Sequence, residues 1–206
     1  MSRRGRLVAF EGIDGAGKSI QAARVAQALG ARLTFEPGDT PLGAELRRLL
    51  LERADLAPTH RAEALLMAAD RAQHVATVLE PTLAAGTHCV TDRYSGSTLA
   101  YQGYGSGLSI DLLHDVIGFA TAGLVPDLTL LIDCDPETAR GRLSANPDRL
   151  ERLDPSYHAR VRDGFLALAA HDPERWVVID GAAPLEEVER SVDEALASRL
   201  GLSVAP

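Results

Sequence analysis

The chain has 206 residues, enough for one well-buried domain, and its 29 acidic against 21 basic residues give a formal net charge of −8. That balance argues against a nucleic-acid or anionic-membrane surface, while permitting a local basic pocket for a small phosphorylated ligand. No apolar run approaches the roughly 20 residues of a membrane span, and no apolar signal core follows Met1-Ser2-Arg3-Arg4-Gly5, so the expected compartment is the cytoplasm.

Leu7-Val8-Ala9-Phe10 reads as a short buried strand, and it runs into F-E-G-I-D-G-A-G-K-S, which spans Phe10 to Ser19. Gly12, Gly15 and Gly17 permit backbone conformations barred to residues with a Cβ, so the N–H groups along Gly12, Ile13, Asp14, Gly15, Ala16, Gly17, Lys18 and Ser19 can converge on an anion. Lys18 adds a mobile charge for β- and γ-phosphates. The Ser19 hydroxyl stands ready for Mg²⁺ at the N-terminus of the next helix. That helix carries Val25, Ala26 and Leu29 on one face and stops at Gly30.

Ala31 to Phe35 predicts a second strand, and Glu36-Pro37-Gly38-Asp39-Thr40-Pro41 a turn out of the sheet. Leu42, Leu46, Leu49 and Leu50 mark one face of a helix. A longer helix, capped near Thr59, runs through Leu65, Leu66, Ala69 and Val75 to Leu79, with Pro81 bending or restarting it and Gly86 closing it. His88 to Asp92 is a strand ending in an acid, the position from which a carboxylate steadies a Mg²⁺ shell beside a phosphate loop. Ser95 to Gly107, rich in Gly and Ser and bearing Tyr101 and Tyr104, suits a ligand-facing loop. Helix follows over Ile110 to Ala122 and strand over Leu128 to Ile132, ending at Asp133.

Pro136 to Leu143 is helical, and Ser144-Ala145-Asn146-Pro147-Asp148 breaks the pattern as a candidate mobile lid, about residues 144–156, with Arg140, Arg142, Arg149 and Arg152 around it. Helix over Ala159 to Ala170, strand over Trp176 to Asp180 and an amphipathic helix over Leu185 to Leu200 complete the chain. Cys89 and Cys134 sit in predicted buried strands and suit packing, and the six histidines are too scattered to argue a metal cluster. Alternating strands and helices predict an α/β fold, a parallel sheet covered on both faces, with ligands at the carboxyl ends of the strands. The residues by themselves reach as far as an ATP- or GTP-using phosphotransferase or hydrolase in a single domain, residues 1–206.

The runs E-G-I-D-G-A-G-K-S, E-P-G-D-T-P-L-G-A-E-L-R, A-A-D-R-A-Q-H, D-R-Y-S-G-S-T-L-A-Y-Q-G, P-D-L-T-L-L-I-D and D-R-L-E resemble the bacterial thymidylate kinase family in order, from Leu7 to about Asp180. The resemblance implies a three-layer P-loop NTPase fold with a five-stranded parallel sheet and a short lid. It also implies transfer of the γ-phosphate of ATP to dTMP in dTTP supply, with Mg²⁺, usually in a homodimer. It places Ser19 and Asp92 near Mg²⁺, Glu36 by the acceptor, and Arg47 and Arg93 on the acceptor phosphate. Arg71 would face a thymine carbonyl, Met67, Thr98, Tyr101 and Gln102 would line the base site, Asp14 would approach the sugar, and Arg149 would belong to the lid. On this resemblance Lys18, Arg93, Glu36 and Arg149 form the catalytic set.

Three residues depart from the family pattern. Phe35 stands where arginine is usual, Met67 where an aromatic stacks on thymine, and Ile20 where threonine is common. Phe35 and Met67 motivate one alternative, a kinase for another pyrimidine or modified thymidine monophosphate; an alternative of a different class is a weakly catalytic nucleotide-binding protein.

Overall fold

The computed structural model describes residues 4–53, 55–56, 58–143 and 148–204; the tip of the expected lid, residues 144–147, lies outside them. Five strands form one parallel sheet in the order β2-β3-β1-β4-β5: β1 Leu7–Glu11, β2 Arg32–Phe35, β3 Cys89–Asp92, β4 Leu128–Asp133 and β5 Trp176–Asp180. All five residues of β1 are buried. They face two cores alternately, as the period-2 geometry of a strand requires. Val8 and Phe10 pack with Val25, Leu130, Phe165 and Val192, whereas Leu7 and Ala9 pack with Val75, Leu79, Leu83 and Cys89. A central strand with an apolar partner on each face needs no polar alternation, which is why it reads as a continuous apolar run.

Helix α1, Lys18–Leu29, starts at the glycine-rich loop and ends at Gly30 in the left-handed conformation. Helix α2, Pro41–Arg47, is capped by the Thr40 hydroxyl and widens into a π-helical turn, Arg48–Glu52. The predicted apolar face of this helix is only partly realised, since Leu42 is exposed and Leu50 is fully buried. The departure from the regular 3.6-residue period takes the four leucines off one line. Helix α3, His60–His74, is capped by Thr59 as its sequence predicts, and continues through a π-helical turn, Val75–Leu79, and Glu80–Ala84, where Pro81 occupies the first turn. Leu65 faces outward.

The segment expected as a loop, 95–107, is instead helix α4, Ser95–Thr98 with a π-helical continuation Leu99–Gly105, and most of it is buried. Its glycines are there for close approach. A Cβ at Gly105 would stand 2.8 Å from Tyr157 and Val161, and one at Gly164 would stand 2.6 Å from Tyr104, so the helices touch backbone to ring. The partner is α7, Pro155–His171, which starts four residues earlier than its apolar pattern indicates because Asp154 caps it and Pro155 opens it. Helices α5 (Ile110–Thr121), α6 (Pro136–Gly141) and α8 (Leu185–Leu200) complete both layers.

Candidate active site

The strand ends Glu11, Phe35, Asp92 and Asp133 lie along one edge of the sheet, and the phosphate loop rises from the middle of it. Gly12 has φ +140° and Gly15 φ +83°, and side chains there would meet the carbonyl oxygens of Ile132 and Ala139. Glycine is demanded twice over, by conformation and by space. Lys18 is buried and donates to the Ile13 carbonyl at 2.8 Å. Burial, reinforced by the neighbouring Arg93 charge, pulls its ammonium down to about 8.

Ser19 Oγ donates to Asp92 Oδ2, and the buried Asp92 Oδ1 has no hydrogen-bond partner among the described residues. A hydroxyl beside a carboxylate with one oxygen unspent is a hard-oxygen pair that fits Mg²⁺.

Arg93 follows Asp92 and holds φ +71°, uncommon for a residue with a Cβ. Its guanidinium bonds the Gly12 carbonyl and Ser97 Oγ, both at 3.0 Å, pairs with Asp14, and lies 5.1 Å from the Tyr101 ring centre. Tyr101 donates to the other Asp14 oxygen at 2.7 Å. Burial works to raise the Asp14 pKa, but the Arg93 and Lys18 charges outweigh it and hold the carboxyl well below the usual range.

Two of the clefts beside the loop share charged walls. The larger, about 830 Å³, runs from Leu33–Glu36 past the phosphate loop to Arg142, Gly181 and Val188. The smaller, about 130 Å³, is walled by Met67, Arg71, Thr98, Tyr101 and Gln102. Asp14, Glu36, Arg47, Arg93 and Glu151 line both. Arg47 donates to the Pro37 carbonyl at 2.8 Å and lies 5.9 Å from the centre of the Phe35 ring, so the residue in the expected arginine position meets a guanidinium instead of supplying one.

Arg71 is anchored inside the protein by each nitrogen: Nε on Glu36 at 2.8 Å, and its two terminal nitrogens on Thr98 Oγ1 and the Tyr94 carbonyl, each at 2.9 Å. His74 Nδ1 is 2.8 Å from the second Glu36 oxygen, and His74 Nε2 meets Thr34, whose hydroxyl donates to Asp39. Arg149 stands apart from the other expected site residues. Its guanidinium sits on Glu63 and on the Leu50 carbonyl, and it lines neither cleft.

Four functional neighbours escaped the sequence reading. Glu11, fully buried, accepts from the Tyr94 and Ser97 backbones and from Ser97 Oγ, tying the end of β1 to α4, and burial pushes its carboxyl up to about 6. Glu63, Asp70 and His74 lie on α3 one or two turns apart, and a helical repeat of polar residues on an inward face was the available signal. Burial and the Glu36 charge raise Asp70 from an ordinary 3.8 to about 6. Its ionised form is thus disfavoured in the folded state. Asp70→Asn is expected to stabilise the fold near neutral pH by at most about 3 kcal/mol, read as a higher Tm, and the gain should fade as the pH falls through about 4, below which aspartate is protonated folded or unfolded. Thermal melts at both pH values check this.

A glycine-rich loop with lysine and serine, an acid at the neighbouring strand end and a second cleft sharing its wall define a P-loop phosphotransferase. The Thymidylate kinase family model matches residues 10–192, and the chain belongs to that family. Thymidylate kinase of Synechococcus sp. is 47% identical over 98% of this chain and 99% of its own length, and that of Leifsonia xyli is 46% identical over 93% and 94%. The crystal structure of thymidylate kinase from Ehrlichia chaffeensis is 30% identical and superposes with a TM-score of 0.77, covering 94% of this chain and 99% of that one.

Proposed function

We propose a division of labour among the site residues of a chain that uses ATP to phosphorylate dTMP to dTDP. The observation that carries it is the shared wall of the two clefts, Asp14, Glu36, Arg47, Arg93 and Glu151, whose two arginines stand where phosphates on neighbouring substrates would abut. The triphosphate lies along Gly12 to Ser19, with Lys18 on the β- and γ-phosphates. An oxygen of the acceptor phosphate attacks the γ-phosphorus, the bond to the β-bridging oxygen breaks, and ADP leaves. Arg47 and Arg93 hold the acceptor phosphate against its own repulsion from ATP. Asp14, kept ionised, takes the sugar hydroxyl, and Glu36 lies by the acceptor while fixing Arg71. Met67, Arg71, Thr98, Tyr101 and Gln102 enclose the base. Positioning and charge neutralisation suffice, and no strong base is required.

Ser19 and Asp92 are the proposed Mg²⁺ holders, and the ion supplies charge neutralisation on the β- and γ-phosphates when bound. Arg149 acts from the lid by docking residues 148–151 against α3 through Glu63. We further propose one domain, a cytoplasmic location and a homodimer. Among the described residues no helix is long and apolar enough to cross a membrane. Leu112 and Phe119, 65% and 91% exposed and seven residues apart on α5, with Leu65 on the adjoining α3, form the apolar stripe that supports self-association. Light scattering should return twice the 21.9 kDa of one chain; a monomer mass overturns this part.

The test of function is coupled ADP release with ATP and Mg²⁺, offering dTMP, dUMP, dCMP, UMP, AMP and GMP separately. Turnover is expected with dTMP foremost and to fall on Asp92→Ala, with the loss partly relieved by raised Mg²⁺. Preference for another acceptor would assign Phe35 and Met67 to altered specificity. Silence across the panel from a folded, ATP-binding protein would overturn the catalytic reading.

A further inference from the structure

Glu63 lines neither cleft, yet it connects the base pocket to Arg149 of the lid segment. It is 1% exposed. Oε1 accepts a hydrogen bond from Gln102 Nε2 at 2.8 Å, while Oε2 is ion-paired with Arg149, which is itself fixed on the Leu50 carbonyl at 2.8 Å. A carboxylate paired with a guanidinium offers acceptors only. The end of the Gln102 amide that meets it must therefore be the nitrogen.

An amide has one donor end and one acceptor end, so anchoring the nitrogen decides what the pocket sees. Gln102 is also 1% exposed, lines the smaller cleft, and its Oε1 takes no hydrogen bond from any described residue. A carbonyl oxygen on a pocket-lining side chain that no described residue donates to favours a ligand that donates to it. Among pyrimidines, thymine and uracil carry a donor at ring position 3, an N–H between two carbonyls. Cytosine carries a lone pair there, which would face the Gln102 oxygen in repulsion.

We infer that Glu63 determines the base choice of this enzyme: by holding Gln102 with its oxygen toward the pocket, it admits imide bases and rejects cytosine. Glu63 is a positioning residue that acts through Gln102, and Arg149 keeps the pair in register. The inference rests on the smaller cleft being the dTMP site.

The experiment compares kcat/KM for dTMP and dCMP in the wild type, Glu63→Gln and Gln102→Leu, with 3-methyl-dTMP as a third acceptor for the wild type. A glutamine at 63 can present either end of its own amide, so Gln102 becomes free to turn. The dTMP over dCMP ratio is expected to fall about tenfold, the value of one hydrogen bond lost or misdirected, mostly in KM. The wild type should reject 3-methyl-dTMP, which keeps every group of the substrate except the N3 donor. If Gln102→Leu loses the ratio and Glu63→Gln keeps it, Glu63 is merely structural and the inference is overturned. If neither variant changes the ratio, the base lies elsewhere and the pocket reading fails with it. Should Glu63→Gln not fold, equal turnover of 3-methyl-dTMP and dTMP by the wild type would still overturn the inference.

Discussion

Lys18→Ala is expected to lower kcat for ADP release with dTMP by on the order of 10³-fold, the usual cost of removing a preorganised charge from a developing phosphoryl transition state. Its Tm should hold, because the ammonium is buried at an electrostatic cost, seen in a pKa drawn down to about 8 by burial and by Arg93. That value also sets a pH dependence. Lys18 carries its charge below about 8 and loses it above, so kcat/KM for ATP, which reports the free enzyme, should decline on the alkaline side. Once bound, phosphate stabilises the ammonium, and the limb in kcat should move to higher pH. Lys18→Arg, always protonated, should abolish the limb even if its rate is low. A pH profile of kcat/KM that stays flat through pH 9 would remove Lys18 from this role.

Arg71→Ala is the second large expected effect, and it is one of stability as well as function. The Arg71–Glu36 pair is almost fully buried, with side chains 3% exposed on both sides. Removing the guanidinium leaves the buried Glu36 carboxylate with His74 alone beside it, and breaking a buried pair costs about 3–5 kcal/mol. For a chain of this length that is a fall in Tm of roughly 6–20 °C. The Thr98 hydroxyl and the Tyr94 carbonyl lose a donor at the same stroke. Affinity for dTMP should fall with Tm, and saturating dTMP should restore little of it, because the wall of the pocket is no longer held. A thermal melt with and without dTMP measures both; a variant that melts within 2 °C of the wild type would show that solvent, not Arg71, satisfies Glu36.

The phosphate loop was legible because its chemistry is local. Gly12, Gly15, Gly17, Lys18 and Ser19 act through their own backbone and nearest side chains, so spacing along the chain is nearly the geometry itself. The strands were legible for a related reason: a central parallel strand buried on both faces, such as Leu7–Glu11, must be apolar throughout. Helix α4 was not legible. Its Gly and Ser content reads as a loop, and only the close passage of Gly105 along Tyr157 and Val161 explains why small residues occur in a helix there.

The acceptor side depends on partners far apart in the chain. Glu36 and Arg71 are 35 residues apart, Gln102 and Glu63 are 39, Arg149 and Glu63 are 86, and Glu11 and Ser97 are 86. No local pattern encodes such pairs, because each partner is an ordinary polar residue on its own element. By itself the sequence determined the α/β architecture, the phosphate loop, the acid at the end of β3 and the family. Only the tertiary structure decided that Arg149 sits on Glu63, that Arg47 rather than Phe35 brings charge to the junction of the clefts, and which way Gln102 points. A buried polar group takes its charge state and direction from whatever burial places opposite it.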